Sequence, residues 1–248
     1  MSAKCPEPPP PDYDAIELEA WRKARGEVPA EAAELGDWLE KGYKPPSKAT
    51  DRANRLLKRI RGFVRRFGYR ESDVLAKIKQ DTMFAAWFAK EPRRQGFHEA
   101  VAADWIKALP QVNDFRVLPK SGKNAVKVSG DGNIESESET KKLPGKSLDF
   151  TWKTGSFTFY AMHKYTKEGG GNQDSQFKEM VELMKRFLQC QNRNVVLVVI
   201  VDGEYYQDND QVRIQQLRNN ERLMAPKSHA LTIGDLPSLL DDYVSSDS

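Results

Sequence analysis

Two short segments carry side chains that could do chemistry together. Ser147-Leu-Asp-Phe-Thr-Trp152 contains an acid, Asp149, and Phe157-Thr-Phe-Tyr-Ala-Met-His-Lys164 ends on a lysine. A carboxylate supplies a hard oxygen ligand for a magnesium ion, which keeps several of its waters. An ammonium beside it can orient or deprotonate an attacking water and steady charge on a phosphate. The pair is the minimum equipment for phosphodiester hydrolysis. Side chains alternate along a strand, so Phe157, Phe159, Ala161 and His163 fall on one face and Thr158, Tyr160, Met162 and Lys164 on the other. The first face is the greasier, which turns Lys164 away from the core toward the cleft that Asp149 lines. His163 has two roles open to it, catalysis beside Lys164 or packing on the opposite face.

The next residues suit a nucleic acid. Gly169, Gly170 and Gly171 permit backbone conformations closed to other residues and open a helix whose N-terminal amides can receive a phosphate. No Gly-Lys-Ser/Thr follows, which excludes a nucleotide P-loop. Lys167 can hold a phosphate, and Asn172, Gln173 and Gln176 can read adenine edges. Asp174 lies in the same DNA-facing segment.

The elements that must position these residues follow from pattern. Pro6-Glu-Pro-Pro-Pro-Pro11 reads as a flexible arm over 1–13. Short helices are expected over 14–24 and 31–41, split by Gly26 and Pro29. A third over 51–67 places Leu56, Leu57, Ile60, Phe63, Val64 and Phe67 in one stripe. A fourth over 72–89 should bury Val74, Leu75, Ile78, Phe84, Trp87 and Phe88, and a fifth spans 94–108. Strands are expected at 125–129, 148–152 and 156–163, with a polar mobile loop over 130–145. A helix at 173–190 precedes Val195-Val-Leu-Val-Val-Ile-Val201, a strand of the kind buried on both faces. A weaker helix at 209–220, a strand at 229–233 and a helix at 234–243 complete an α/β fold, a central mixed sheet flanked by helices with an N-terminal helical elaboration. The domains read as the arm, a helical subdomain over 14–91, and a core over 92–248.

Charge is more telling in its distribution than in its sum. The net charge is only +3, but residues 1–45 hold ten acids and six bases, whereas residues 51–70 hold eight bases against Asp51 alone. That local positive field makes Arg55, Arg59 and Arg66 candidate phosphate contacts. Two cysteines, Cys5 and Cys190, without zinc-ligand spacing argue against disulfides and for a reducing compartment. The longest apolar run is too short for a bilayer, so a cytoplasmic protein with no membrane partner is expected.

The hairpin bearing Asp149 and Lys164 resembles the catalytic hairpin of the PD-(D/E)XK nucleases. Its continuation, His163-Lys-Tyr-Thr-Lys-Glu-Gly-Gly-Gly-Asn-Gln-Asp-Ser-Gln176, is similar to the version carried by some type II restriction endonucleases. Upstream, Arg93-Arg-Gln-Gly-Phe-His-Glu99 resembles the helix in which these enzymes often carry an additional acid. Downstream, Val198-Val-Ile-Val-Asp-Gly-Glu-Tyr-Tyr206 and His229-Ala-Leu-Thr-Ile-Gly-Asp-Leu236 resemble their last core strands, so the likeness covers roughly residues 92–242. It implies a restriction-endonuclease-like fold and sequence-specific hydrolysis of double-stranded DNA with Mg2+, for which Mn2+ can substitute. Asp149 and Glu99 would ligate the metal, and Lys164 would handle the water. A homodimer suits a palindromic site. The family places an acid two residues before the lysine, where this chain has Met162. Either another acid is relocated to the site, with Glu99 preferred over Glu168 and Asp174, or the enzyme works with fewer metal ligands. Two alternatives stay open: a structure-specific or repair-type nuclease, and a DNA-binding protein that does not cut.

Overall fold

A computed structural model describes residues 7–40, 50–89, 95–167, 171–207, 213–219 and 227–246. The chain forms two compact units, Asp12–Arg94 and Met1–Pro11 together with Gln95–Ser248.

The first unit is helical: α1 (Tyr13–Glu40), α2 (Thr50–Phe67), α3 (Glu71–Gln80) and α4 (Thr82–Ala86). Its core joins Val28, Ala32 and Leu35 of α1 to Leu56 and Ile60 of α2, Val74 and Ile78 of α3, and Phe88. The expected break in α1 does not occur; the helix runs through Gly26 and Pro29. Pro29 leaves the Arg25 carbonyl without its helical donor, which costs about 3 kcal/mol in an isolated helix. Burial of Val28, Ala32 and Leu35 on either side of the proline opposes that loss. The single helix expected over 72–89 is instead two. Asp81 leaves helical geometry at φ −127° and its side chain accepts the Phe84 N–H at 3.0 Å, an N-cap that restarts the chain as α4. The restart changes the helical phase, and Trp87 is exposed rather than buried.

The second unit contains α5 (Gln95–Lys107), β1 (Asn113–Val117), β2 (Val126–Val128), β3 (Ile134–Ser136), β4 (Phe150–Thr154), β5 (Phe157–Tyr165), α6 (Gly171–Phe187), β6 (Val195–Asp202), α7 (Glu204–Gln207), α8 (Arg213–Arg218), β7 (Ser228–Leu231) and α9 (Leu236–Ser246). The main sheet is mixed, in the order β1-β4-β5-β6-β7. The first two pairings are antiparallel and the last two parallel. The register pairs Phe150 with Ala161, Trp152 with Phe159, and Ala161 with Val198, so these aromatic and small residues share one face. The opposite face carries Met162, Leu197, Val199 and Val201, packed with Met180, Leu183, Met184 and Phe187 of α6. As expected, β6 is buried on both faces. The expectation that the Met162 face turns away from the core is corrected: α6 covers it.

Three further expectations change. β1 was not anticipated because four of its five residues are exposed and a bulge interrupts its pairing, so it leaves no alternating pattern. The polar stretch 130–145, expected as a loop, contributes β3. Its Glu137 is buried, accepting from Lys127 Nζ at 2.9 Å and from the Leu143 N–H at 3.0 Å. The proline arm is not loose over residues 7–10. The Pro9 carbonyl accepts from Trp105 Nε1 at 2.6 Å, and Gln111 Nε2 donates to Glu7 at 3.0 Å. Proline lacks a donor but keeps its carbonyl, which suffices for this docking. Among the described residues, no helix is long and apolar enough to cross a membrane.

Candidate functional site

The site forms where β4 and β5 part. Asp149 immediately precedes β4, and its N–H still donates to the Ala161 carbonyl at 2.7 Å. Its side chain then takes over the ladder, with Oδ2 accepting the His163 N–H at 2.9 Å. The carboxylate is therefore oriented by backbone. Asp149 is buried, and loss of water pushes its pKa above the ordinary aspartate value. Lys164 and the His163 N–H pull the other way, and Glu99 pushes it further up. These Coulombic neighbours bring Asp149, Lys164 and Glu99, the three residues singled out from the sequence, into one electrostatic cluster.

Each reaches the cluster from a different element. Lys164 is half-buried near the end of β5, paired in register with Val201. A tight turn fixes that strand end: Gly203, at φ +98°, follows β6, and a Cβ there would lie 2.2 Å from the Thr166 carbonyl oxygen. Glu99 is buried on α5, whose Ala102, Ala103 and Ile106 are also buried. Its carboxylate forms an ion pair with Lys120 Nζ, from the loop between β1 and β2. Ser147 Oγ donates to the Lys120 carbonyl at 2.8 Å, which ties that loop to the segment carrying Asp149. Lys120 was missed from sequence. It sits in a lysine-rich loop without periodicity, and only the fold reveals its partner.

His163 lies elsewhere. Its ring is buried and its Nε2 is 3.3 Å from Asp202 Oδ2, while Asp202 Oδ1 accepts the Ile233 N–H at 3.0 Å. The ring thus packs between strand ends, and His163 meets Asp149 through its backbone. His98 stacks on Tyr165 with ring centroids 4.2 Å apart, and His229 is 2.9 Å from the Tyr243 hydroxyl.

Of the relocated acids, Glu99 is near enough to Asp149 for its charge to push the Asp149 pKa up. Asp174 is committed elsewhere: it accepts the Tyr205 hydroxyl at 2.7 Å, and burial with that bond pushes Tyr205 up to about 12. Glu168, Gly169 and Gly170 lie outside the described residues. Gly171 and Asn172 open α6, Gln173 and Gln176 are half-buried, and Lys167 is exposed. Met162 is fully buried against α6, so its position is a core position with no route to a metal.

Two carboxylates beside a lysine suit magnesium, which is commonly held by one or two carboxylates and several waters. Asp149 in particular is a buried acid whose charge a cation would favour. Among the described residues no group of three or more His, Cys, Asp or Glu side chains comes together to hold a metal.

The basic face of α2 belongs to the helical unit. Arg55, Lys58, Arg61, Arg65 and Arg66 are exposed. Arg61 pairs with Glu71 at 3.1 Å, and Arg66 lies over the Phe67 ring. Arg59 differs from its neighbours. It is half-buried, and loss of water lowers its pKa despite the nearby Glu31. Its side chain is less open to solvent than those of the other bases on this face.

No protein-family model and no curated protein matches the chain. Nine chains of solved structures match. One is protein VC1899 from Vibrio cholerae, with 13% identity and a TM-score of 0.30; the match covers 89% of this chain and 56% of that one. The chain therefore spans a little over half the length of that protein.

Proposed function

We propose that this chain is a type II restriction endonuclease-like enzyme that hydrolyses phosphodiester bonds in a specific double-stranded DNA sequence with Mg2+. The observation that carries the reading is the electrostatic neighbourhood of buried Asp149, on whose charge both Glu99 and Lys164 act where β4 and β5 part. Asp149 and Glu99 would hold the metal, which when bound supplies positive charge against the phosphate and an acidified water. Lys164 would orient that water and stabilise charge developing on the phosphate. The His163 N–H fixes one oxygen of Asp149 and leaves the other for a ligand. DNA would be gripped by the exposed bases of α2 and by Lys167 with the start of α6, and a homodimer would match a palindromic site.

The burial of Met162 favours a second reading, a DNA-binding protein that does not cut, because two carboxylates are then all that the described residues offer a metal. Plasmid digestion with and without Mg2+ separates the readings. Discrete Mg2+-dependent fragments support the restriction enzyme, and a smear or nicking supports a repair-type nuclease. A shifted band without cleavage supports the binder.

A further inference from the structure

We propose that Lys120 is the resident counter-ion of the site: in the metal-free chain its ammonium neutralises Glu99, and metal binding releases it to hold a DNA phosphate. This rests on the metal-dependent nuclease reading above.

Charge balance motivates it. The cluster holds two carboxylates, Glu99 and Asp149, and two ammonium groups, Lys120 and Lys164, and is formally neutral at rest. A divalent cation beside these buried carboxylates would add positive charge to a cluster that already holds two ammonium groups, and repulsion there is stronger than in bulk water. One lysine has to withdraw, and the two are not equally able to. Lys164 is half-buried on β5 and held in the strand ladder. Lys120 stands on a loop, and its side chain is 56% exposed against 8% for Glu99. Its long, flexible stem lets the ammonium swing without backbone movement. The Ser147 bond to its carbonyl keeps its root beside the segment that carries Asp149. A released Lys120 therefore stays at the mouth of the site, where an incoming phosphate would need a cation.

A purely structural ion pair and a counter-ion predict opposite responses to its removal. In the test, Mn2+ is titrated into the full chain without DNA, and free Mn2+ is read from its paramagnetic resonance signal. Lys120→Met keeps the bulk of the stem and should bind Mn2+ about tenfold more tightly than the parent, since the competing charge is gone. Lys120→Arg keeps the charge and should bind like the parent. On the unaltered chain, labelling of Lys120 Nζ by an amine-reactive ester, read peptide by peptide in the mass spectrometer, should rise several-fold when Mn2+ is added. Lys185, which pairs with Glu182, should not change.

Lys120→Met binding no tighter than the parent overturns the proposal, as does labelling that ignores Mn2+. If Lys120→Met fails to fold, the labelling decides. Should the parent bind Mn2+, Asp149→Asn lose it and Lys120→Met match the parent, the counter-ion role falls while the metal site stands. Should neither the parent nor Lys120→Met bind Mn2+, both fall.

Discussion

Asp149 lies where water is scarce, and that sets its pH behaviour. Burial raises its folded-state pKa above the unfolded value of about 3.9. A raised acid contributes stability that is fully present below the unfolded pKa and is lost as pH rises through the folded pKa. Asp149→Asn keeps an oxygen for the His163 N–H and removes the charge. At neutral pH without metal the variant should therefore melt at a higher temperature than the parent, with the gap closing as pH falls to about 3.9. Added Mg2+ should raise only the parent. Thermal melts across pH check this, and a variant that melts lower at pH 7 contradicts it. At this scale the sequence pointed to Asp149 and Lys164, because acid and lysine on adjacent strands leave a mark in the residue pattern, and to Glu99 through the resemblance of the helix that carries it. It could not reveal the Lys120 pair or the contact between His163 and Asp202. Both depend on where a loop folds back and on the register between β5 and β6, neither of which periodicity encodes.

Met162 shows how the elements constrain the site. β5 is covered by α6 on the face that carries Met162, so the position at which the resemblance expects an acid is a packing position. Met162→Ala should lower unfolding stability by about 2–5 kcal/mol. Met162→Glu should lower it at least as much by burying an unpaired carboxylate, with no gain in Mn2+ affinity. Urea unfolding and Mn2+ titration check both outcomes; a stable Met162→Glu chain with tighter metal binding would contradict them. Helices with a clear period, such as α2 and α9, and the unbroken apolar run of β6 were legible because burial on one face or on both imposes those patterns. The continuity of α1 through Pro29 was not, since packing by Val28, Ala32 and Leu35 outweighs a local breaker. Nor was the break at Asp81, where a single side chain caps a new helix.

The molecule as a whole is nearly neutral, so the DNA affinity proposed for it would come from local fields rather than net charge. The exposed bases of α2 should give strongly salt-dependent binding. Neutralising Arg55 and Arg66 together should reduce the slope of log affinity against log salt by about 2, at about 0.9 per contact. Arg59→Ala should leave the slope unchanged and destabilise the helical unit instead, since that side chain is half-buried. Filter retention over a salt series reads the slope, and a loss on Arg59→Ala alone would relocate the contact surface. The proposed activity depends on Asp149 and Lys164 acting in one hydrolytic centre. The most direct test is single-turnover DNA cleavage in Mg2+ by the parent and by Lys164→Ala, with DNA retention measured in Ca2+. Cleavage should fall by at least about 100-fold while retention is largely kept; undiminished cleavage by Lys164→Ala would contradict the account.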